Sequence, residues 1–184
     1  FLLTACVSIA AVVLICVYLL GNGIPTIFKI GLSNFFGTVW KPSKNLFGIV
    51  PMIVGSIYVT AGAIVIGVPI GLLCAIYLSR FCPKGVYRIL KPAVELMAGI
   101  PSIVYGFFGL MIIVPVIQRL TGTSGKSLLT ASILLGIMIL PTIISVAESS
   151  LNAVPNSYYE GSLALGATHE RSVFSAVLPA AKSG

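Results

Sequence analysis

The sequence predicts an all-α fold, a polytopic transmembrane helical bundle, and three observations carry that prediction. Hydrophobic residues make up 58 % of the 184 and charged residues 8 %, whereas a soluble domain carries roughly 25 % charged residues. Apolar stretches near the length of a bilayer crossing, about 20 residues of helix, alternate with short polar turns. Glycine and proline interrupt several of these stretches, which a membrane helix tolerates where neighbouring helices or a water-filled path satisfy the backbone. The net charge is +7, from 11 basic and 4 acidic residues. The basic residues stand singly between apolar runs, as at loops and headgroups. They form no stripe of the kind that tracks nucleic acid.

The elements follow in order within a single transmembrane domain, residues 1–184. The first span covers about residues 1–20, uncharged throughout. It has neither the basic flank nor the small-residue cleavage site of a signal peptide. No methionine precedes it, as in a fragment whose true start is missing. Gly21-Asn22-Gly23 is expected to end that helix. A loop then runs to Phe47, with an amphipathic piece around Phe28–Phe36 and Trp40 anchored at the interface.

Between Lys44 and Arg80 lie 35 uncharged residues, read as one tilted or broken span at about 51–79. Gly67 and Gly71 make a pair that permits close helix approach, and Pro69 between them a packing kink. Arg80 to Lys91 reads as a basic loop. Pro92 then opens a third span at about 93–117, with Glu95 in its first turn, where an acid suits the helix dipole. Inside that span Gly99, Pro101, Ser102, Tyr105 and Gly106 break the helix and form a candidate translocation path. The backbone amides near Gly99–Ser102 are candidates to cradle an oxyanion.

A fourth span occupies about 127–147, a polar loop 148–171, and a fifth span starts from 172. Ser157-Tyr158-Tyr159-Glu160 matches a capping box, so a helix is expected to start there. Gly166 should break it, and Thr168 should cap a second short helix with Glu170 in its first turn. Two short helices joined at a glycine make either a rigid knob that projects from the membrane or an ordinary amphipathic loop resting on the headgroups. Glu170 and Arg171 form a candidate gate or a loop salt bridge.

Counting basic residues puts this loop inside by one: six (Arg80, Lys84, Arg88, Lys91, Arg171, Lys182) against five (Lys29, Lys41, Lys44, Arg119, Lys126). Cys6, Cys16, Cys74 and Cys82 have no ligand spacing for a metal and read as small buried apolar residues. His169 reads as a helix-surface residue.

Glu160-Gly161-Ser162-x3-Gly166-x9-Ala176-Val177-Leu178-Pro179 resembles the EAA loop of ABC importer permeases, Glu-Ala-Ala-x3-Gly-x9-Ile-x-Leu-Pro. Small or apolar residues replace the two alanines and the isoleucine. The resemblance implies a type I, MetI-like permease architecture, here truncated because the family's final helices are absent. It implies docking of the loop into a cytoplasmic ATPase subunit, through Glu160, Gly161, Ser162, Leu163, Ala164 and Gly166, with Leu178 and Pro179 completing the motif.

Glu95 to Gly106, with Gly99-Ile100-Pro101-Ser102 at its centre, resembles the third-helix block of Pst-type phosphate importer permeases. Lys41-Pro42-Ser43 and Ile66 to Gly71 are more similar to the PstC subunit than to PstA. The implied function is ATP-driven phosphate import across a bacterial or archaeal cell membrane by a multi-pass subunit. The implied partners are a PstA-like second permease subunit, a PstB-like ATPase dimer, a PstS-like extracytoplasmic binding protein and the lipid bilayer, with no nucleic acid.

The chain is expected to bind no cofactor and to be no enzyme, with ATP used by the partner ATPase. Gly122-Thr123-Ser124-Gly125-Lys126-Ser127 has the wrong glycine spacing for a Walker loop. The alternatives are the PstA-like role, another oxyanion, or a secondary transporter. The last would carry ionisable residues inside its spans, and those interiors hold almost none.

Overall fold

The computed structural model describes residues 1–183; Gly184, in the stretch expected to start a fifth span, lies outside the described residues. Four helices are long and apolar enough to cross a membrane: Leu2–Ile30, Val50–Phe81, Ser102–Thr121 and Leu128–Ala153. The chain divides into two compact units, Phe1–Ser56 and the remainder from Ile57.

In the first unit, α1 runs over Leu2–Ile30. It therefore passes through Gly21-Asn22-Gly23, where the sequence suggests a stop. Glycine permits a break without imposing one, and an apolar medium favours the intact hydrogen-bond ladder. The polar residues are absorbed locally: Asn22 Nδ2 donates to the Tyr18 carbonyl at 2.9 Å and Thr26 Oγ1 to the Asn22 carbonyl at 2.7 Å. A short α2 follows at Leu32–Phe35. A small antiparallel hairpin pairs β1, Trp40–Lys41, with β2, Leu46–Phe47. The Trp40 and Phe47 rings meet edge to face at 5.8 Å.

In the second unit, the helix α3 (Val50–Ile76, starting in the first) continues through a π-helical turn, Tyr77–Phe81. It packs on α7, Leu128–Ala153. Ala63, Gly67, Gly71 and Ala75 recur every four residues and are all buried, so one face of α3 is a groove of small residues. A Cβ at Gly67 would lie 3.0 Å from Ile139 Cδ1, and one at Gly71 2.6 Å from Ile143 Cγ2. The core beyond this groove gathers Ala75, Ile76, Leu151, Val154, Val173 and Val177.

The basic stretch Arg80–Lys91 is not a loop, and no single span covers 93–117. Instead α4 spans Lys84–Ala98 with Pro83 at its N-cap, the chain breaks over Gly99–Pro101, and α5 starts at Ser102. Lys84, Arg88, Lys91 and Glu95 stand at i, i+4, i+7 and i+11, one stripe of an amphipathic helix. Read as separate charges they suggest a loop; read by period they mark a helix face. Glu95 consequently falls in the last turn of α4, not the first turn of a span, and the dipole argument for it does not apply.

After α5 (Ser102–Phe108) a π-helical turn, Gly109–Ile113, leads into α6, Val114–Thr121. Ser127 caps α7, accepting from the Thr130 amide. α8 spans Asn156–Ala164 and α9 His169–Ser172. Helical backbone then continues through Val173–Val177 into α10, Leu178–Ala180. Three of the four cysteines lie exposed on the protein surface and Cys82 is half-buried. They are not core residues; their weak polarity suits a lipid-facing surface equally well.

Candidate functional site

The α8–α9 pair forms the knob. Its first helix starts at Asn156 with Pro155 at the N-cap and no side-chain cap, so Ser157 lies inside the helix and the capping box does not form. Pro155 pre-sets the backbone for the entry. The helix ends at Gly166, whose φ is +86°. The Ala167 amide donates to the Ser162 carbonyl at 3.2 Å and the Gly166 amide to the Leu163 carbonyl at 2.9 Å. This is the Schellman arrangement, which needs a left-handed residue at that position. Thr168 Oγ1 then accepts from the Arg171 amide at 3.3 Å and starts α9.

His169 braces the joint rather than lying on the surface. It is half-buried, and its Nδ1 shares a 2.8 Å hydrogen bond with the Tyr159 hydroxyl. Its ring meets Phe81 at 4.7 Å and Tyr159 at 5.6 Å. One imidazole thus ties α8, α9 and the end of α3 together.

Along the same pair, Glu160, Gly161, Leu163, Ala164 and Gly166 are exposed and Ser162 is half-buried. Leu165 is 91 % exposed, an apolar side chain with no cover on a rigid platform. Leu178 and Pro179 are not on the knob. They lie in the helical run after it, where Leu178 packs on the core.

Glu170 and Arg171 are both exposed, and among the described residues they do not pair. Hydrogen bonding to the α9 N-terminal backbone, then to Thr168, lowers the Glu170 carboxyl below its ordinary value. A group depressed on folding contributes above its unfolded pKa and loses that contribution as pH falls through the folded one. The Glu170 contribution to α9 is therefore expected at neutral pH and lost in acid. Glu170→Gln should remove that pH dependence, read from the α9 amide shifts in a titration.

At the α4–α5 break, Tyr105 donates its hydroxyl to the Met97 carbonyl at 2.9 Å across the gap. The Gly99 amide donates to the Glu95 and Leu96 carbonyls and the Ile100 amide to Met97. These two amides are spent on ending α4, so they do not cradle an anion here. Gly99, Pro101 and Ser102 are exposed, and a Cβ at Gly106 would meet nothing within 4 Å.

Glu148, the expected first residue of the polar loop, lies instead inside α7 and is 2 % exposed. Both its oxygens are used. Tyr87 donates its hydroxyl to Oε1 at 2.7 Å, and Lys91 Nζ meets Oε2 at 2.6 Å. Lys91 also reaches Glu95 Oε1 at 3.8 Å. The hydrogen bond to Glu148 holds the Lys91 ammonium above the ordinary lysine value of 10.5. The same carboxylate, then burial, raises the Tyr87 phenol. A raised lysine contributes fully below its unfolded pKa and loses its contribution only as pH rises through the folded value, so the pair holds across neutral pH.

Near the C-terminal end of α7 there is thus a buried, paired carboxylate where the sequence suggests a loop. The signal was present: Pro141, Ile144, Glu148 and Leu151 are all buried in α7, at i, i+3, i+7 and i+10, and the acid stands on the apolar stripe. One turn further, Arg80 Nη2 donates to the Leu151 carbonyl at 2.8 Å and Ser79 Oγ to Asn152 Oδ1 at 2.7 Å. A cation at a helix C-terminus satisfies its free carbonyls and its dipole.

Four helices of membrane-crossing length and composition, with an exposed pair of short helices after the last of them, define a multi-pass membrane protein. Residues 67–184 match the family described as binding-protein-dependent transport system inner membrane component, and the chain belongs to that family. It is a multi-pass protein of the cell membrane.

The chain is similar to a probable ABC transporter permease protein, YqgH, of Bacillus subtilis, 38 % identical over 98 % of this chain and 61 % of that one. It is similar to the phosphate transport system permease protein PstC of Xylella fastidiosa, at 33 % identity over 99 % of this chain and 63 % of the relative. It is also 33 % identical to the probable PstC of the archaeon Methanocaldococcus jannaschii, over 80 % of this chain and 53 % of that protein. The chain therefore spans 53–63 % of the length of these relatives. A solved structure of the MetNI methionine ABC transporter in inward-facing conformations aligns with a TM-score of 0.54 and 27 % identity, over 73 % of this chain and 61 % of that one.

Proposed function

We propose that this chain is part of a permease subunit, PstC-like, of an ATP-binding cassette importer for inorganic phosphate. Its partners are a PstA-like second permease subunit, a cytoplasmic PstB-like ATPase dimer and a PstS-like extracytoplasmic binding protein. ATP is bound and used by the ATPase subunits. This chain supplies the membrane path and has no ATPase site of its own.

The observation that carries the reading is the α8–α9 knob. Its exposed surface from Glu160 to Gly166 docks on the ATPase, and the Schellman turn and the His169 brace make it stiff. A stiff lever transmits displacement into α7 and α3, whereas a mobile loop would absorb it. The knob favours an ATPase-driven subunit over a secondary transporter, and similarity to proteins named as phosphate permeases supplies the substrate. The broken segment from Gly99 to Gly106 lines the translocation path. Transport follows by alternating access, in which ATP binding and hydrolysis shift the population between inward- and outward-open states.

The test is labelled phosphate uptake in cells that lack their own importer permease and carry the full-length protein with its neighbouring subunits. Wild type should restore uptake, and Gly166→Pro should abolish it with the protein still present in the membrane. Proline fixes φ near −65° and has no amide hydrogen, while position 166 holds φ +86° and donates to Leu163. Absence of phosphate uptake by a well-inserted, ATPase-bound wild type would leave the permease architecture in place and remove phosphate as its substrate.

A further inference from the structure

The cluster around Glu148 is not part of the knob, the break or the groove between α3 and α7. Its arrangement is specific. Tyr87 and Lys91 are four residues apart on one face of α4 and converge on the two oxygens of one buried carboxylate of α7. Charged groups are rarely buried unless paired, and a carboxylate holding two charge-assisted bonds fixes both donors in direction as well as distance.

The position matters as much as the bonds. Glu148 lies one turn before Leu151 and Asn152, the acceptors for Arg80 and Ser79, and just before Pro155, where the knob begins. On the other side, α4 runs straight into the Gly99–Pro101 break. The cluster therefore connects the last turns of α7, which carry the knob, to the helix that leads into the broken segment.

We propose that Glu148, held by Tyr87 and Lys91, is a positioning residue for transport: it is the joint that makes α4 follow α7 when the knob moves. This rests on the reading of the knob as the ATPase contact. A hydrophobic contact between the two helices would allow sliding and rotation, because it is non-directional. A bidentate carboxylate bridge admits neither without breaking, so the two helices move as one body and displacement reaches the break at Gly99.

The experiment uses the complete transporter in lipid nanodiscs, with the native cysteines replaced. Spin labels are placed at Arg88 on α4 and Ser149 on α7, both exposed. Their separation is measured by electron paramagnetic resonance without nucleotide and after vanadate trapping, alongside phosphate uptake and ATP hydrolysis. In the wild type the separation should be the same in both states. In Glu148→Gln it should change or broaden on trapping, and uptake per ATP should fall by about tenfold, a loss within the usual range of coupling between sites.

Lys91→Glu combined with Glu148→Lys should restore the constant separation. If Glu148→Gln does not assemble, Lys91→Met and the reversed pair carry the same comparison. A wild-type separation that differs between the two states overturns the joint. So does a separation that stays constant in both Glu148→Gln and Lys91→Met. A wild type that moves no phosphate removes the substrate reading and leaves the joint to be decided by the distances.

Discussion

Lys91→Met is expected to destabilise the folded permease by about 3 kcal/mol, the lower end of the cost of breaking a buried ion pair. Glu148 is 2 % exposed and would be left buried with one of its two donors gone. Lys91 is itself 23 % exposed on its side chain, so water compensates part of the loss and the lower end applies. Replacing both partners at once, Lys91→Met with Glu148→Leu, should recover most of that stability, because an apolar pair of similar volume removes the desolvation cost of both ions. Thermal unfolding of the purified full-length protein in detergent, run as a double-mutant cycle, measures the difference. The same double variant should still fail to transport if the bridge is the joint proposed above, which separates its contribution to stability from its contribution to coupling.

The second large effect lies in the groove between α3 and α7. Gly71→Val is expected to cost about 1–3 kcal/mol through overpacking, and to force the helices apart. Even the first atom of the new side chain would lie 2.6 Å from Ile143 Cγ2 and 3.0 Å from its Cβ. The Cβ of Ile143 is fixed to the backbone of α7, so no rotamer change relieves the contact. Pairing Gly71→Ala with Ile143→Ala should remove the worst of it. Gly55 supplies the contrast. It is in the same helix, yet a Cβ there meets nothing within 4 Å. Gly55→Ala should therefore stabilise by roughly 0.5–1 kcal/mol through helix propensity alone. Unfolding midpoints for the two glycine series, compared in one detergent, give the measurement.

Local chemistry made several features legible. Thr168 stands as the cap of α9 and Gly166 as the break between the short helices, because both roles depend on a hydroxyl or a missing Cβ at one position. Gly67 and Gly71 are packing residues because four-residue spacing puts them on one helix face. Where local signals disagreed, reading residue by residue went astray. Gly21-Asn22-Gly23 looks like a helix stop in water, yet the helix continues, since its ladder is worth more in an apolar medium. Ser157 has the right spacing for a cap, but Pro155 already sets the entry to α8.

By itself the sequence determined the membrane class and the helical architecture, since too few charges remain to coat a soluble core and the backbone in lipid must bond to itself. It also determined the break at Gly166 and the cap at Thr168, each written in a single residue, and left open whether the two short helices stand as a knob or rest on the headgroups. Only the tertiary structure decided what Glu148 and His169 do. Their partners lie far away in the chain or on another helix: Tyr87 and Lys91 for the first, Phe81 and Tyr159 for the second. A charge four residues from its neighbour along one helix can be paired by counting. A carboxylate that meets its donors 57 and 61 positions away is assigned only when packing brings the two helices together, because its burial and its partners are consequences of that packing.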